Sequence, residues 1–112
     1  MKERLEIKTA KARKSIVTQI EKAVREELAI FDYEEYTIER DDYEHFSTIG
    51  IRNGSYMITI PELERIKLAF DRFYNKYGIR FMNMSIHATQ TYTPTLNLPI
   101  STPFIRITVS DR

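Results

Sequence analysis

A run of mixed charged and apolar residues, ELERIKLAFDRFYNKY, lies between Pro61 and Gly78 and limits the folds open to this chain. Its apolar residues recur every three or four positions, which predicts an amphipathic helix. Proline is favoured in the first turn of a helix and glycine just past the last turn, so both ends of the helix are predicted as well. Runs rich in β-branched and aromatic residues precede and follow it, so the chain is expected to combine helices with strands.

The N-terminal part of the chain, residues 1–30, is predicted to form the longest helix, with bounds near Glu3 and Ile30. It is rich in Ala, Glu, Lys and Arg and contains no Gly or Pro, a composition that favours helix. The apolar residues at helical spacing are Ile16, Val17, Ile20, Val24 and Leu28. They predict a buried stripe, with a basic stripe on the outer side of the same helix.

Three strand-like runs are predicted between the helices: YTIER, YEHFSTIGIR and SYMITI. Asn53 and Gly54 stand between the last two, and Asn-Gly in that position is typical of a type I′ hairpin. Two further runs, IRFMNMSIHA and PFIRITV, follow the second helix. The predicted fold class is therefore α+β: a single domain over residues 1–112 in the order α-β-β-β-α-β-β, an antiparallel sheet with two helices packed on one face.

The composition is that of a chain able to bury one core. Hydrophobic residues make up 42% of the 112 residues, which suits one folded domain. Cysteine is absent, which excludes a disulfide framework and a thiolate metal site. No apolar run reaches the roughly 18 residues that a membrane span needs, and no signal-peptide pattern begins the chain. A cytoplasmic protein without a membrane partner is expected.

Residues 89–102, TQTYTPTLNLPIST, contain neither a charge nor a glycine. They separate two strands that should pair, so they are predicted to form a hairpin loop much longer than the usual two to five or so residues. Three interpretations are open: an extended arm that binds a protein, a cover over the chain's own sheet, or a simply mobile loop. The residues expected to anchor a protein partner are Tyr92, Leu96, Leu98 and Ile100, together with an exposed Leu68 on the second helix.

Charge is distributed unevenly, with residues 1–14 basic and residues 31–46 acidic. Phosphate contacts need clusters of Lys and Arg, so nucleic acid is the alternative partner. The residues predicted to contact it are Arg4, Lys8, Lys11, Lys14 and Lys22 on the first helix, with Arg65, Arg72 and Lys76 on the second. A solvated helix face is the plainer interpretation of the same pattern.

Residues suited to catalysis or metal binding are few. The chain has two histidines, His45 and His87, and a small hydrolase or nuclease that uses them as acid and base is a third hypothesis. Glu35, Glu39 and Asp41 share a strand face, but the spacing of a calcium loop is absent and a solvated acidic face is favoured. No catalytic residue, metal or cofactor is assigned from the sequence.

The hypothesis that the sequence favours is a non-enzymatic protein-interaction module: a small regulatory, inhibitory or assembly factor acting through residues 89–102 and its charged faces. The expected partner is another protein or a second copy of the chain, which would make a homo-oligomer. Small size and the absence of cysteine also suit an accessory protein of a phage or mobile element. The identity of the partner and the biological process stay open.

Overall fold

The computed structural model describes residues 4–31, 35–54, 57–93 and 98–112, with the backbone alone for 90–93 and 98–101. It contains two helices and a four-stranded antiparallel sheet. The elements are α1 (Ala10–Leu28), β1 (Tyr36–Asp42), β2 (Phe46–Asn53), α2 (Ile60–Tyr77), β3 (Met82–Thr93) and β4 (Leu98–Ser110). The α+β class is confirmed. The order is α-β-β-α-β-β, one strand fewer than predicted.

Local signals define both ends of α2, as predicted. The Thr59 hydroxyl accepts a hydrogen bond from the backbone N–H of Glu62, and the Glu62 carboxylate accepts one from the backbone N–H of Thr59. This reciprocal pair satisfies donors that a helix start leaves free. At the other end Gly78 has a φ of 83°, and a Cβ there would collide with the guanidinium of Arg4. The backbone conformation therefore requires glycine at position 78, whereas the end of the flexible Arg4 side chain can move aside.

The predicted third strand, with its hairpin at Asn53 and Gly54, is wrong. β2 ends at Asn53, and residues 57–59 form neither helix nor strand; residues 55–56 lie outside the described part of the chain. The sheet order is β1-β2-β4-β3, so both edges of β2 are already paired. The cap at Thr59 also commits this segment to the start of a helix, which overrides its strand-like composition.

The first helix is shorter than predicted because it is capped at Thr9. The Thr9 hydroxyl accepts a hydrogen bond from the backbone N–H of Ala12 at 3.0 Å, and the helix begins at Ala10. Residues 4–8 precede it and are not helical. Threonine favours the capping position over the helix interior, so the helical composition of the sequence extends further than the helix itself.

The segment before α1 packs against the end of α2. The backbone N–H of Leu5 donates to the carbonyl of Lys76 at 2.8 Å. The Ile7 side chain is buried in the core, whereas Leu5 is exposed. The segment therefore contributes a core residue that a helical interpretation does not select.

Both helices pack on one face of the sheet, as predicted. One cluster of buried residues joins α1, α2 and the strands. Its members include Ile16, Val17, Ile20, Val24 and Leu28 of α1, Ile66, Ala69 and Phe70 of α2, and Ile49, Ile51, Met82, Ile105, Ile107 and Val109 of the strands. Strand side chains alternate between faces, so the intervening residues point away from the helices. We call that second surface the open face; it includes Phe46, Gly50, Arg52, Ser85, His87, Phe104 and Arg106.

Residues 89–102 do not form the predicted long loop. β3 and β4 stay paired from Met82 opposite Val109 to Thr93 opposite Leu98, and residues 94–97 lie outside the described residues. β2 pairs with β4 from Ile105 onward, so the paired residues 89–93 and 98–102 extend beyond the four-stranded sheet. We call them the ribbon arm.

Prolines are tolerated in the ribbon arm and at its base because β4 has a free edge there. Pro99 and Pro103 both lie in the part of β4 that β2 does not pair. Proline lacks a backbone N–H and is confined to strand edges for that reason. The radius of gyration, 15.4 Å, exceeds the roughly 13 Å of a compact chain of this length. The backbone pairing thus favours an arm over a cover.

Candidate functional site

An apolar groove lies between α2 and β3, which is an edge strand of the sheet. Ile86 of β3 is paired with Ile105 of β4, so their side chains point to the same face. Ile105 is 2% exposed, whereas Ile86 is 67% exposed. At this register the helices therefore cover β4 and leave Ile86 of β3 exposed, whereas Met82 at the start of β3 is buried in the core. The groove has a volume of about 390 Å³ and is lined by Leu63, Lys67, Met84, Ser85, Ile86 and Ile105.

The rim of the groove on α2 combines an apolar residue with both signs of charge. Leu68 is 51% exposed, as predicted. It lines an adjoining hollow together with Glu64, Lys67 and Asp71. Lys67 Nζ lies 2.6 Å from Asp71 Oδ2 within the same helix. This face of α2 thus presents apolar surface bordered by two acidic residues and one basic residue.

The predicted anchor residues of segment 89–102 are distributed over the two strands of the ribbon arm. Tyr92 lies in β3, and Leu98 and Ile100 lie in β4. In backbone register Ile100 is opposite Thr91, and Leu98 is opposite Thr93. Leu96 lies outside the described residues. The role of all four in binding stays a prediction.

The predicted basic surface on α1 is smaller than expected. Arg4 and Lys8 lie before the helix rather than on it, which corrects the prediction of one helical stripe. Lys11, Lys14 and Lys22 are exposed on α1. Because Thr9 caps the helix, Arg4 and Lys8 lie before its first turn and do not share a helical face with the three lysines.

Two of the three predicted basic residues of α2 are paired with a carboxylate of α1. Arg65 and Arg72 both bind Glu27 of α1, at N–O distances of 3.4 and 2.5 Å. Their charge therefore joins the two helices and is partly neutralised. Lys76 lies over the ring of Phe73, with its Nζ 5.8 Å from the ring centroid. A sequence pattern on one helix cannot reveal a carboxylate that a second helix places beside it.

A cationic and aromatic cluster on the open face was not predicted. Arg52 and Arg106 lie over the Phe104 ring, with guanidinium carbons 4.2 and 5.3 Å from its centroid. His87 stacks on the same ring, with centroids 5.4 Å apart and planes at 25°. Ser85 Oγ is 2.7 Å from His87 Nε2. The alternation of arginine with isoleucine in IGIR and PFIRITV is the signal that could have revealed it.

The two histidines do not form one catalytic site. His45 lies in the turn between β1 and β2, with Nδ1 3.4 Å from Asp111 Oδ1, whereas His87 is paired with Phe104 in the body of the sheet. Roughly 20 Å of strand separates the two positions. Among the described residues no carboxylate forms an ion pair with His87, so its bond to Ser85 lacks the orienting third group of a catalytic triad.

A buried arginine holds together the end of the sheet that lies away from the ribbon arm. Arg13 of α1 is fully buried. Its guanidinium donates to Asp111 Oδ2 at 2.6 Å, to Ser47 Oγ at 3.1 Å and to the carbonyls of Tyr43 and Glu44 at 2.7 and 3.0 Å. Each of its three nitrogens therefore donates within the fold, so we assign it a structural role.

Two carboxylates near the ends of β1 have a lowered pKa. Burial acts to raise the pKa of Glu62, but hydrogen bonds from Tyr36, Thr59 and Asn53 outweigh it, so the pKa lies below its usual range. The hydrogen bond from Ser47 lowers the pKa of Asp42, against burial. Both groups are held ionised by donors of the fold itself, which indicates stabilisation rather than proton transfer.

Within the ranges that the structure describes, no group of three or more His, Cys, Asp or Glu side chains lies close enough to hold a metal ion. Nor does either described helix combine the length and the apolar character that crossing a membrane requires. Comparisons with protein-family models, with curated proteins and with solved structures find no match to this chain.

Proposed function

We propose that this protein is a protein-interaction module that associates with a second copy of itself through the outer edge of β3 and the groove beside it. The observation that supports this most directly is that Ile86 of β3 is exposed, although Ile105, its partner on the neighbouring strand β4, is buried. An aliphatic side chain on the core side of a sheet is normally covered, and exposed apolar surface beside a groove is typical of a binding site.

The edge of β3 supplies the polar part of the proposed interface. β3 runs from Met82 to Thr93 and pairs with β4 on one side. A long edge strand presents backbone N–H and C=O groups that another strand can pair with. The same edge continues into the ribbon arm, where Tyr92 was predicted to anchor a partner. Strand addition along β3 would therefore use both the groove and the arm.

The charges on the rim favour a second copy over an unrelated partner. Glu64, Lys67 and Asp71 alternate in sign along the face of α2 that borders the groove. A two-fold axis brings the same patch of two subunits together in opposite directions. Lys67 of one copy would then face an acidic residue of the other, and like charges need not meet. Leu63, Leu68 and Ile86 would supply the apolar centre.

Sedimentation equilibrium of two matched variants tests the proposal. Ile86→Lys places a charge in the groove and should convert the assembly to monomer. Ile30→Lys changes an aliphatic residue of similar exposure that lies far along the chain from the groove, and should leave the mass unchanged. Circular dichroism and urea unfolding establish that both variants fold. Equal masses for the two folded variants would overturn this choice of interface.

A further inference from the structure

We infer that the open face of the sheet binds single-stranded nucleic acid, with Arg52 and Arg106 contacting phosphates across the gap at Gly50. This inference does not depend on the proposed self-association, because the open face and the apolar residues of the groove lie on opposite sides of the sheet. It also differs from binding by the basic residues of α1, and the two sites predict different effects of mutation.

The charge of the cluster is available to a ligand. Among the described residues, Arg52 and Arg106 form no ion pair with a carboxylate, whereas all four arginines of the helices do. Arg52 donates to Thr89 Oγ1 at 2.8 Å. A guanidinium has five donors, so most of those on both residues are left for an anion. Unpaired arginines on a polar surface are complementary to phosphate.

Gly50 provides a place for close approach to the sheet. It lies opposite Arg106 in β4 and opposite Glu39 in β1. A Cβ at this position would meet Phe104 Cδ2 at 4.0 Å, which is ordinary contact, with no nearer neighbour. Packing therefore does not require glycine there, and glycine in the middle of a strand weakens it. Such a glycine often marks the point at which a ligand approaches the backbone.

The aromatic residues indicate a ligand longer than one nucleotide. Tyr43 and Phe46 stack with ring centroids 4.6 Å apart, and both are exposed at one end of the open face. The cluster around Phe104 lies at the other end, roughly 20 Å away along β2. Bases stack on aromatic rings and on guanidinium planes. Phe104 itself is buried beneath Arg52, Arg106 and His87, so a strand running between the two ends would stack on Tyr43, Phe46 and the guanidinium planes.

The acidic residues of the same face set the path of the strand. Glu39 and Asp41 lie on β1, opposite Gly50 and Thr48. They would repel phosphates that approach the β1 side. The path that avoids them runs over β2, β4 and β3, where Arg52, Arg106 and His87 lie. Duplex nucleic acid carries phosphates on both sides and is too broad for this path, so single strands are preferred.

Fluorescence anisotropy with a labelled oligouridylate, repeated with single-stranded DNA, tests the inference at low salt. Gly50→Val fills the gap with a residue that favours strands, so the melting temperature should stay equal or rise while affinity falls roughly tenfold or more. Arg52→Gln with Arg106→Gln should weaken binding at least as much. Lys11→Gln with Lys22→Gln on α1 is the matched control and should leave affinity within about twofold.

The possible results separate the sites. No binding by the unaltered protein, or equal binding by Gly50→Val, would overturn the inference. A larger loss in the α1 variant than in the open-face variants would move the site to the basic helix. Equal competition by inorganic polyphosphate of matched charge would mean that bases are not contacted, which also contradicts it. If the double arginine variant fails to fold, the Gly50→Val result decides alone.

Discussion

Arg13 of α1 and Asp111, just beyond β4, are joined by a 2.6 Å hydrogen bond that is buried on both sides. The contact connects the first helix to the last described residues of the chain. A buried ion pair is expensive to break because the remaining partner keeps its charge without compensation. Its role in stability can therefore be measured separately from binding.

Arg13→Met should lower the free energy of unfolding by about 3–5 kcal/mol, because the Asp111 carboxylate and the carbonyls of Tyr43 and Glu44 lose their donor. Arg25→Met is the control in the same helix, since Arg25 is exposed and pairs with Glu21. It should cost less than about 1 kcal/mol. Urea unfolding at neutral pH measures both; similar values would contradict a structural role for the buried pair.

Acid should destabilise the protein through Glu62 and Asp42. Folding lowers the pKa of each carboxyl group. Each group therefore stabilises the fold at pH values above its unfolded pKa of about 4, and this stabilisation is lost as the pH falls through the folded pKa. The free energy of unfolding should therefore fall as pH decreases below about 5. Urea titrations between neutral and acidic pH measure it, and no change across this window would contradict the assignment.

Replacing the Glu62 carboxylate by an amide should confirm its part in that behaviour. Glu62→Gln would turn an amide donor toward groups that are themselves donors, among them the Asn53 amide and the Thr59 N–H. We expect a loss of about 1–3 kcal/mol at neutral pH and a weaker dependence on acid. Glu26→Gln, at an exposed position of α1, should change neither quantity; a matching loss in Glu26→Gln would argue against the buried network.

Removing the ribbon arm should leave the fold intact. In the test variant, residues 91–100 are replaced by Asn-Gly. Gln90 and Ser101 are opposite each other, so they become the last strand pair before a two-residue hairpin loop. A two-stranded extension beyond the sheet adds little stability, so the free energy of unfolding should change by less than about 1 kcal/mol. Self-association should weaken. A large loss of stability would instead mean that the segment covers the core.

The parts of the fold that the sequence predicted correctly depend on residues close together in the chain. Pro61, the capping pair Thr59 and Glu62, and Gly78 define α2 by local contacts, and the buried face of α1 follows from helical spacing. These signals act within one or two turns, so the residue pattern suffices.

The parts that were missed depend on pairing between distant segments. Asn53 and Gly54 resemble a hairpin, but β4 occupies the edge that a third strand would need. Residues 89–102 were predicted to form a long loop, but Pro99 is accommodated in β4 because β2 does not pair with that part of the strand. Likewise, Arg65 and Arg72 looked like a free basic row because Glu27 lies on another helix. Strand order and contacts between helices are not encoded in a local pattern.

The mass of the unaltered protein in solution tests the proposed self-association most directly. Light scattering should be recorded over a wide range of concentrations, in low and in high salt. Because the groove is apolar, we expect a dimer of about twice the 13.3 kDa chain mass, with little change in high salt. A monomer at every concentration, in both salt conditions, would contradict the proposal.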